Sequence, residues 1–183
     1  MIHFKYVKWK NFLATGNIHS TVRLDKSITT LIIGDNGSGK STVLDALCFV
    51  LFGKAYRPIK KAQLVNSINQ RECEVEIEFQ IGTNQFKVIR GIKPNNFQIF
   101  RNGKEFDQEA HSRDFQKILE EQILKLNYRS FTQVVILGSS CFIPFMQLPT
   151  SHRREVVEDI LDIKIFSIMN LLLKQHYKMV SAE

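Results

Sequence analysis

The stretch that decides the fold is residues 31–47, "LIIGDNGSGKSTVLDAL". Apolar residues run into a glycine-rich turn, then Lys40, Ser41 and Thr42, then a segment with helical spacing. Gly34, Gly39, Lys40 and Ser41 satisfy the pattern G-x-x-x-x-G-K-[ST]. Successive N–H groups in such a turn face one concavity and make a nest for an anion. The helix that follows adds its unpaired N-terminal N–H groups and the positive end of its dipole. Lys40 is then placed to reach the β- and γ-phosphates, and the Ser41 hydroxyl to bind Mg²⁺. The flanks agree: "SITTLII" (27–33) is β-branched and apolar and reads as a strand, and residues 40–52 read as a helix stopped by Gly53. The expected ligand is a nucleoside triphosphate with Mg²⁺.

The chain has 183 residues, the size of one ordinary domain or a large part of one. Hydrophobic residues make up 44%, enough for a core. No apolar run approaches the roughly 20 residues of a membrane span, and "MIHFKYVKWKNF" lacks the continuous apolar stretch of a signal peptide. The expectation is a cytoplasmic protein with no membrane partner. Cys48, Cys73 and Cys141 are scattered and form no C-x-x-C pair, which argues against zinc and against a disulfide framework. Lys plus Arg is 25 and Asp plus Glu is 18, a net charge of +7. That balance admits two readings, a polyanionic partner or a merely soluble basic surface.

Along the chain, "IHFKYVKWK" (2–10) reads as a strand with an apolar face of Ile2, Phe4, Tyr6 and Trp9, and "IHSTVRLD" (18–25) as a second strand. Residues 53–72 read as a basic loop with a turn of helix. "ECEVEIEFQIG" (72–82) alternates apolar and acidic residues, a half-buried strand. With 84–92 and 96–106 it makes an antiparallel meander, and "RNG" is a hairpin signal. Residues 111–126 read as an amphipathic helix, 130–138 as a buried strand, and 148–161 as a helix capped by Thr150 or Ser151. The remainder continues helical, with Ile165, Ile168, Met169, Leu172 and Met179 as a candidate coiled-coil seam. Basic groups with a place are Arg57, Lys60 and Lys61 in the loop after the first helix, and Arg153 and Arg154 at the start of the late helix. For these five, phosphate contact competes with the reading of solvated surface charge.

The β-rich start with "KNF", the loop "GDNGSGKSTVLDAL", the segment "LFGKAYRPIKKAQLVNS", the meander and "FMQLPTSHRREVVEDILDIKIF" together resemble the N-terminal lobe of SbcC-type, SMC-like DNA repair ATPases. Within that family they are most similar to the large subunits of T-even-like phage recombination endonucleases. The resemblance implies an α/β fold, a P-loop NTPase of ABC/SMC type. Its N-terminal lobe would carry an antiparallel β-meander beside a mixed sheet and end in the start of a coiled-coil helix. Head lobe and coil would divide as 1–163 and 164–183. ATP and Mg²⁺ would be held by Asn36, Gly37, Ser38, Gly39, Lys40, Ser41 and Thr42. Two heads would sandwich ATP as a homodimer, with an SbcD-type nuclease subunit and DNA as partners, in a bacterial or phage-infected host cytoplasm. Relatives place a Gln before the late helix to bind Mg²⁺. That position aligns with Ser139 here, and Gln133 is the nearest glutamine. Relatives also carry an Arg after "NF", where Leu13 stands.

No apolar run in the 183 residues is followed by the paired acids that would polarise an attacking water, and no L-S-G-G motif occurs. The reading is therefore a half-site, with the C-terminal half of the head expected from outside this stretch and turnover by these residues alone left open. Two competing readings are a binding module without turnover and an unrelated P-loop enzyme. A GTPase should show an N-K-x-D guanine reader, and none is present.

Overall fold

Alternation of apolar and acidic residues builds the middle of the sheet. The computed structural model describes residues 2–106, 112–137, 143–161 and 163–180. They fall into two compact units, residues 1–119 and 120–183. In the first unit, β1 (Ile2–Lys10), β2 (Ser20–Arg23), β3 (Cys73–Ile81), β4 (Asn84–Ile92), β5 (Asn96–Arg101) and β6 (Lys104–Glu105) form one six-stranded sheet in the order β2-β1-β3-β4-β5-β6. Every pairing is antiparallel. The predicted meander is thus present, while no mixed sheet stands beside it among the described residues. Turn chemistry sets the hairpins. Asn102 and Gly103 both have positive φ (51° and 79°) and close the β5–β6 hairpin, as the Asn-Gly pair requires.

Val75, Ile77 and Phe79 of β3 point to the core and are fully buried. Phe79 meets Phe4 edge-on at 5.9 Å and stacks on Phe86 at 5.6 Å. β1 departs from simple alternation. Its register against β3 shifts between Phe4 and Tyr6, a bulge that brings Val7 and Trp9 onto the core face with Phe4. Tyr6, expected on the apolar face, joins Lys8 and Lys10 on the other side. There it faces the acidic row of β3, with Tyr6 opposite Glu78, Lys8 opposite Glu76 and Lys10 opposite Glu74. The acidic row of β3 is answered from both neighbouring strands: Lys5 of β1 pairs with Glu78 at 3.1 Å and Lys87 of β4 with Glu76 at 3.2 Å.

The Tyr6 hydroxyl donates to Glu76 Oε1 at 2.5 Å. Burial works upward on the Glu76 carboxyl, but the Tyr6 hydroxyl and the Lys87 ammonium outweigh it and hold its pKa below the usual range. Burial and the same carboxylate push the Tyr6 phenol well above 10. Glu76 with a lowered folded pKa contributes stability that is complete above the unfolded carboxylate range and lost as pH falls through the folded value. Tyr6 contributes stability that is complete below its unfolded pKa of about 10 and lost at higher pH. The chain is expected to lose stability on the acid side of roughly pH 4.5 through this cluster. Urea midpoints measured against pH should show Glu76→Gln with a flatter acid limb than the parent; equal limbs would remove Glu76 from that role.

α1 (Thr42–Phe52) packs on β1, β3 and β4 and is buried along nearly its whole length. Phe49 is fully buried and tilts against Phe12, ring centroids 5.6 Å apart. Gly53 ends the helix in the left-handed conformation at φ 71°, its N–H bonded to the Phe49 carbonyl at 2.8 Å. Burial pushes the thiols of Cys48 and Cys73 up to about 12, Cys48 further helped by Asp45 and Cys73 by Glu74. Both are inert core residues. The loop after α1 contains a single 3₁₀ turn, Lys61–Leu64, as expected.

Three assignments change. Residues 27–33 form no strand. Ile28, Leu31 and Ile33 stand in solvent, 107%, 80% and 83% exposed, because no described segment offers them a ladder partner. The 111–126 helix is realised as α2 (Ser112–Lys117) followed by a wider π-helical stretch, Ile118–Leu124. In the second unit the expected strand at 130–138 is a helix, α3 (Tyr128–Val134). Asn127 Oδ1 accepts from the Ser130 N–H at 2.9 Å, an N-cap that outweighs the β-branched composition. α4 (Thr150–Ile160) follows. The expected cap of Thr150 or Ser151 is replaced by Pro149 with no side-chain cap bond; its carbonyl accepts from His152 and Arg153. α5 (Lys164–Val180) is the continuing helix.

Candidate functional site: a phosphate loop at the start of a buried helix

The loop between residue 33 and α1 is solvent-facing, and its curvature comes from glycine. Gly37 and Gly39 sit at φ 88° and 92°, where a side chain is strained. A Cβ on Gly34 would stand 2.6 Å from Ser38 Oγ. The turn is pinned by Ser38 N–H to the Asp35 carbonyl at 3.1 Å and Thr42 N–H to the Gly39 carbonyl at 3.0 Å. The N–H groups of Gly37, Gly39, Lys40 and Ser41 have no partner among the described residues. Those four free donors stand at the N-terminus of α1, an arrangement that favours anions through both hydrogen bonding and dipole. The Lys40 ammonium folds back over the loop and donates to the carbonyls of Gly34 and Asp35 at 2.6 and 2.7 Å. Ser41 occupies the N-cap without using its hydroxyl as a cap. The donor set therefore fits a triphosphate, and the free hydroxyl fits a magnesium ion beside it.

Two features behind the loop were not expected from sequence. Asp45, one turn into α1, is fully buried, and Arg57 answers it. Arg57 donates its backbone N–H to Oδ1 at 3.0 Å and its Nε to Oδ2 at 2.8 Å. A charge on the buried face of an apolar helix was the available signal. Arg57, one of the five basic groups for which phosphate contact competed with solvated surface charge, fastens the loop after α1 to that helix. At the far end of α1, Arg90 lies 3.8 Å over the Phe97 ring and donates from Nε to the Val50 carbonyl at 3.0 Å. Gln116 donates to the Leu51 carbonyl at 3.0 Å. Orphan C-terminal carbonyls of the helix are thereby satisfied from β4 and α2. Nothing in the alternation of β4 announces that role.

The remaining expected residues belong to both units. Lys60 begins the 3₁₀ turn with an exposed side chain, and Lys61 donates to Asn95 Oδ1 at 3.1 Å. Arg153 makes a 3.3 Å contact with Thr150 Oγ1, and Arg154 is exposed. Gln133, expected within a strand, lies in α3, donates Nε2 to the Ile143 carbonyl at 3.0 Å and leaves its buried Oε1 without a partner among the described residues. Ser139 lies outside the described residues. Leu13 is held at φ 54°, and the buried Asn66 donates to its carbonyl and to that of Thr15, both at 3.1 Å.

The family model described as an AAA domain matches residues 7–179. The chain is 44% identical over 168 residues to exonuclease subunit 2 of Enterobacteria phage T4, covering 92% of this chain and 30% of that protein. It is 40% identical over 177 residues to exonuclease subunit 2 of Escherichia phage RB69, covering 97% and 31%. A DNA double-strand break repair Rad50 ATPase of Methanocaldococcus jannaschii is 26% identical over 95% of this chain and 17% of its own length. The chain thus spans about three-tenths of the phage relatives it matches. Among solved structures, a Smc head domain with an extended coiled coil from Pyrococcus furiosus superposes with a TM-score of 0.66 at 23% identity, over 98% of this chain and 46% of that one. That likeness concerns the fold, an SMC-type ATPase head.

Proposed function

This chain belongs to the AAA domain family, and from that membership we propose that it is the N-terminal ATP-binding part of a DNA repair and recombination ATPase that works with a nuclease subunit. The observation that carries the reading is the set of four N–H groups around Lys40 at the start of α1 that have no partner among the described residues. The names borne by its relatives, exonuclease subunit 2 and Rad50 ATPase, support the rest.

Asn36, Gly37, Ser38, Gly39, Lys40 and Thr42 would surround the triphosphate of ATP, and Ser41 would hold Mg²⁺. When bound, the ion would draw charge from the phosphate oxygens; the chain's own share is to bind and orient them. A second magnesium ligand would come from Gln133 or Ser139. The head lobe would span 1–163 and the coil would begin in 164–183. The C-terminal half of the head would supply the water-polarising acid, the signature motif and the strands that cover residues 27–33. A homodimer closed over ATP, an SbcD-type nuclease, DNA and a cytoplasmic setting complete the reading. No described helix is long and apolar enough to cross a membrane.

The test is ATP binding and hydrolysis by these 183 residues and by the full-length protein, each with Lys40→Ala. Losing the ammonium removes charge-assisted hydrogen bonds worth about 1.5–3 kcal/mol each, so affinity should fall about a hundredfold. Calorimetric titration should show that loss with thermal stability unchanged, since Lys40 lies on an open loop. Negligible turnover by the 183 residues, restored in the full-length protein, is expected. Robust Lys40-dependent turnover by the 183 residues alone would overturn the half-site reading.

A further inference from the structure

Two Asn-Gly pairs occur in the chain, Asn36-Gly37 in the glycine-rich loop before α1 and Asn102-Gly103 in the β5–β6 hairpin. An asparagine before glycine is able to cyclise, because no Cβ screens the glycine nitrogen from the asparagine side chain. The fold treats the two pairs differently. In the hairpin, Asn102 Oδ1 accepts from the Gln85 N–H at 2.8 Å, and Nδ2 donates to Asn84 Oδ1 at 3.2 Å. The Asn102 N–H donates to the Gln85 carbonyl at 2.8 Å, so the carboxamide and the backbone that carries it are both held. Asn36 and Gly37 are exposed. The Asn36 carboxamide and the Gly37 N–H make no hydrogen bond among the described residues.

Electrostatics on the loop favour ring closure at Asn36. The Gly37 nitrogen must lose its proton before it attacks, and the carbonyl oxygen under attack gains negative charge. Lys40 Nζ donates at 2.7 Å to the Asp35 carbonyl, the carbonyl of the peptide bond that leads into Asn36. A cation so close favours the anionic form of its neighbours. The positive end of the α1 dipole acts in the same sense. The exposed Asp35 carboxylate opposes them and, unlike Lys40, touches no loop backbone among the described residues. An arrangement suited to phosphate therefore also suits the anions through which ring closure passes.

We propose that Asn36 is a site of spontaneous deamidation, that its conversion disables the loop, and that a bound triphosphate guards it. Solvent hydroxide takes the proton from the Gly37 nitrogen, which bonds to Asn36 Cγ. The bond from Cγ to Nδ2 breaks, and Nδ2 leaves as ammonia after taking a proton from water. Water then opens the cyclic imide at either carbonyl, giving aspartate or isoaspartate and releasing a proton. Either product sets a carboxylate beside Asp35, where it repels phosphate oxygens. Isoaspartate also inserts a methylene into the main chain of the loop. The guarding step rests on the ATP reading of the loop: a phosphate held by the Gly37 N–H would occupy the attacking nitrogen.

The experiment ages the full-length protein in mildly alkaline buffer and follows both pairs by peptide mass spectrometry. Each of the two hydrogen bonds on the Asn102 carboxamide should slow its conversion about fivefold, so Asn36 should convert about twenty-five-fold faster. In urea the two pairs should convert at comparable rates. ATP with Mg²⁺ should slow Asn36 and leave Asn102 unaffected. Calorimetric ATP binding should fall in step with the converted fraction. Asn36→Asp should show the loss from the start, and aged Asn36→Gln should keep the affinity with which it began. Equal rates at the two pairs in the folded protein, or an intact Asn36, overturn the proposal. Conversion that removes ATP binding but is not slowed by ATP overturns the guarding role alone. A parent that never binds ATP while Asn36 still converts overturns the ATP reading and leaves the modification standing. Asn36→Asp with parental affinity overturns the disabling effect.

Discussion

Arg57→Ala is expected to destabilise the chain by about 3–5 kcal/mol, the range seen when one partner of a buried ion pair is removed. The asymmetry of the pair sets the size. Asp45 has no exposed surface, whereas the Arg57 side chain keeps 40% of its own. Deleting the arginine leaves a carboxylate in the interior with one remaining donor, the backbone N–H of residue 57. Deleting the carboxylate leaves a guanidinium that can turn to water. Asp45→Asn should therefore cost less than Arg57→Ala, and the double variant should be more stable than Arg57→Ala alone. Arg57→Lys should fall between, because an ammonium cannot reproduce the planar fork. Urea unfolding of the four variants decides it. Additive losses in the double variant would sink the pairing as the cause.

Phe49→Ala carries a comparable expectation, a loss of about 3–5 kcal/mol from transfer and cavity terms at a fully buried aromatic. Phe49 sits midway along α1, with Phe12 against its ring. α1 is the helix whose N-terminus carries the candidate anion-binding N–H groups. Its truncation should therefore weaken ATP binding as well as stability, even though Phe49 is two turns from the loop. The control is Val157→Ala on α4, 39% exposed, which should stay within about 0.5 kcal/mol of the parent. Equal urea midpoints for Phe49→Ala and Val157→Ala would show that the site collapses without cost.

How much of this was legible in the sequence depends on how local the deciding interaction is. The glycine turn at 34–39, the α1 stop at Gly53, the β3–β5 meander and the Asn102-Gly103 hairpin rest on adjacent residues and single backbone conformations, and each was read from the chain. The bulge at β1 was not, because it is a property of the pairing with β3 rather than of β1 itself. It reverses the face of Tyr6 and Val7. Residues 130–134 were misread because β-branched composition was weighed above the cap three residues upstream at Asn127. Residues 27–33 have the composition of a strand and lack a neighbour; propensity alone builds no ladder. At the candidate site, the glycine-rich turn before α1 was legible, and the contacts made by Asp45, Arg57 and Arg90 were not. Those three act through partners 12 to 40 residues away.

The segment 27–33, without a ladder partner among the described residues, has a consequence for the newly made chain. Residues 27–33 combine β-branched and apolar side chains with no charge and no proline, the composition that stacks into cross-β aggregates when left exposed. Ile28, Leu31 and Ile33 are all open to solvent. Lys26 and Asp35 flank the run and act as gatekeepers, since stacking copies in register would stack like charges at both ends. Neutralising both, as in Lys26→Ala with Asp35→Ala, should make newly made chain more dependent on chaperones and more prone to form insoluble deposits, with the folded core untouched.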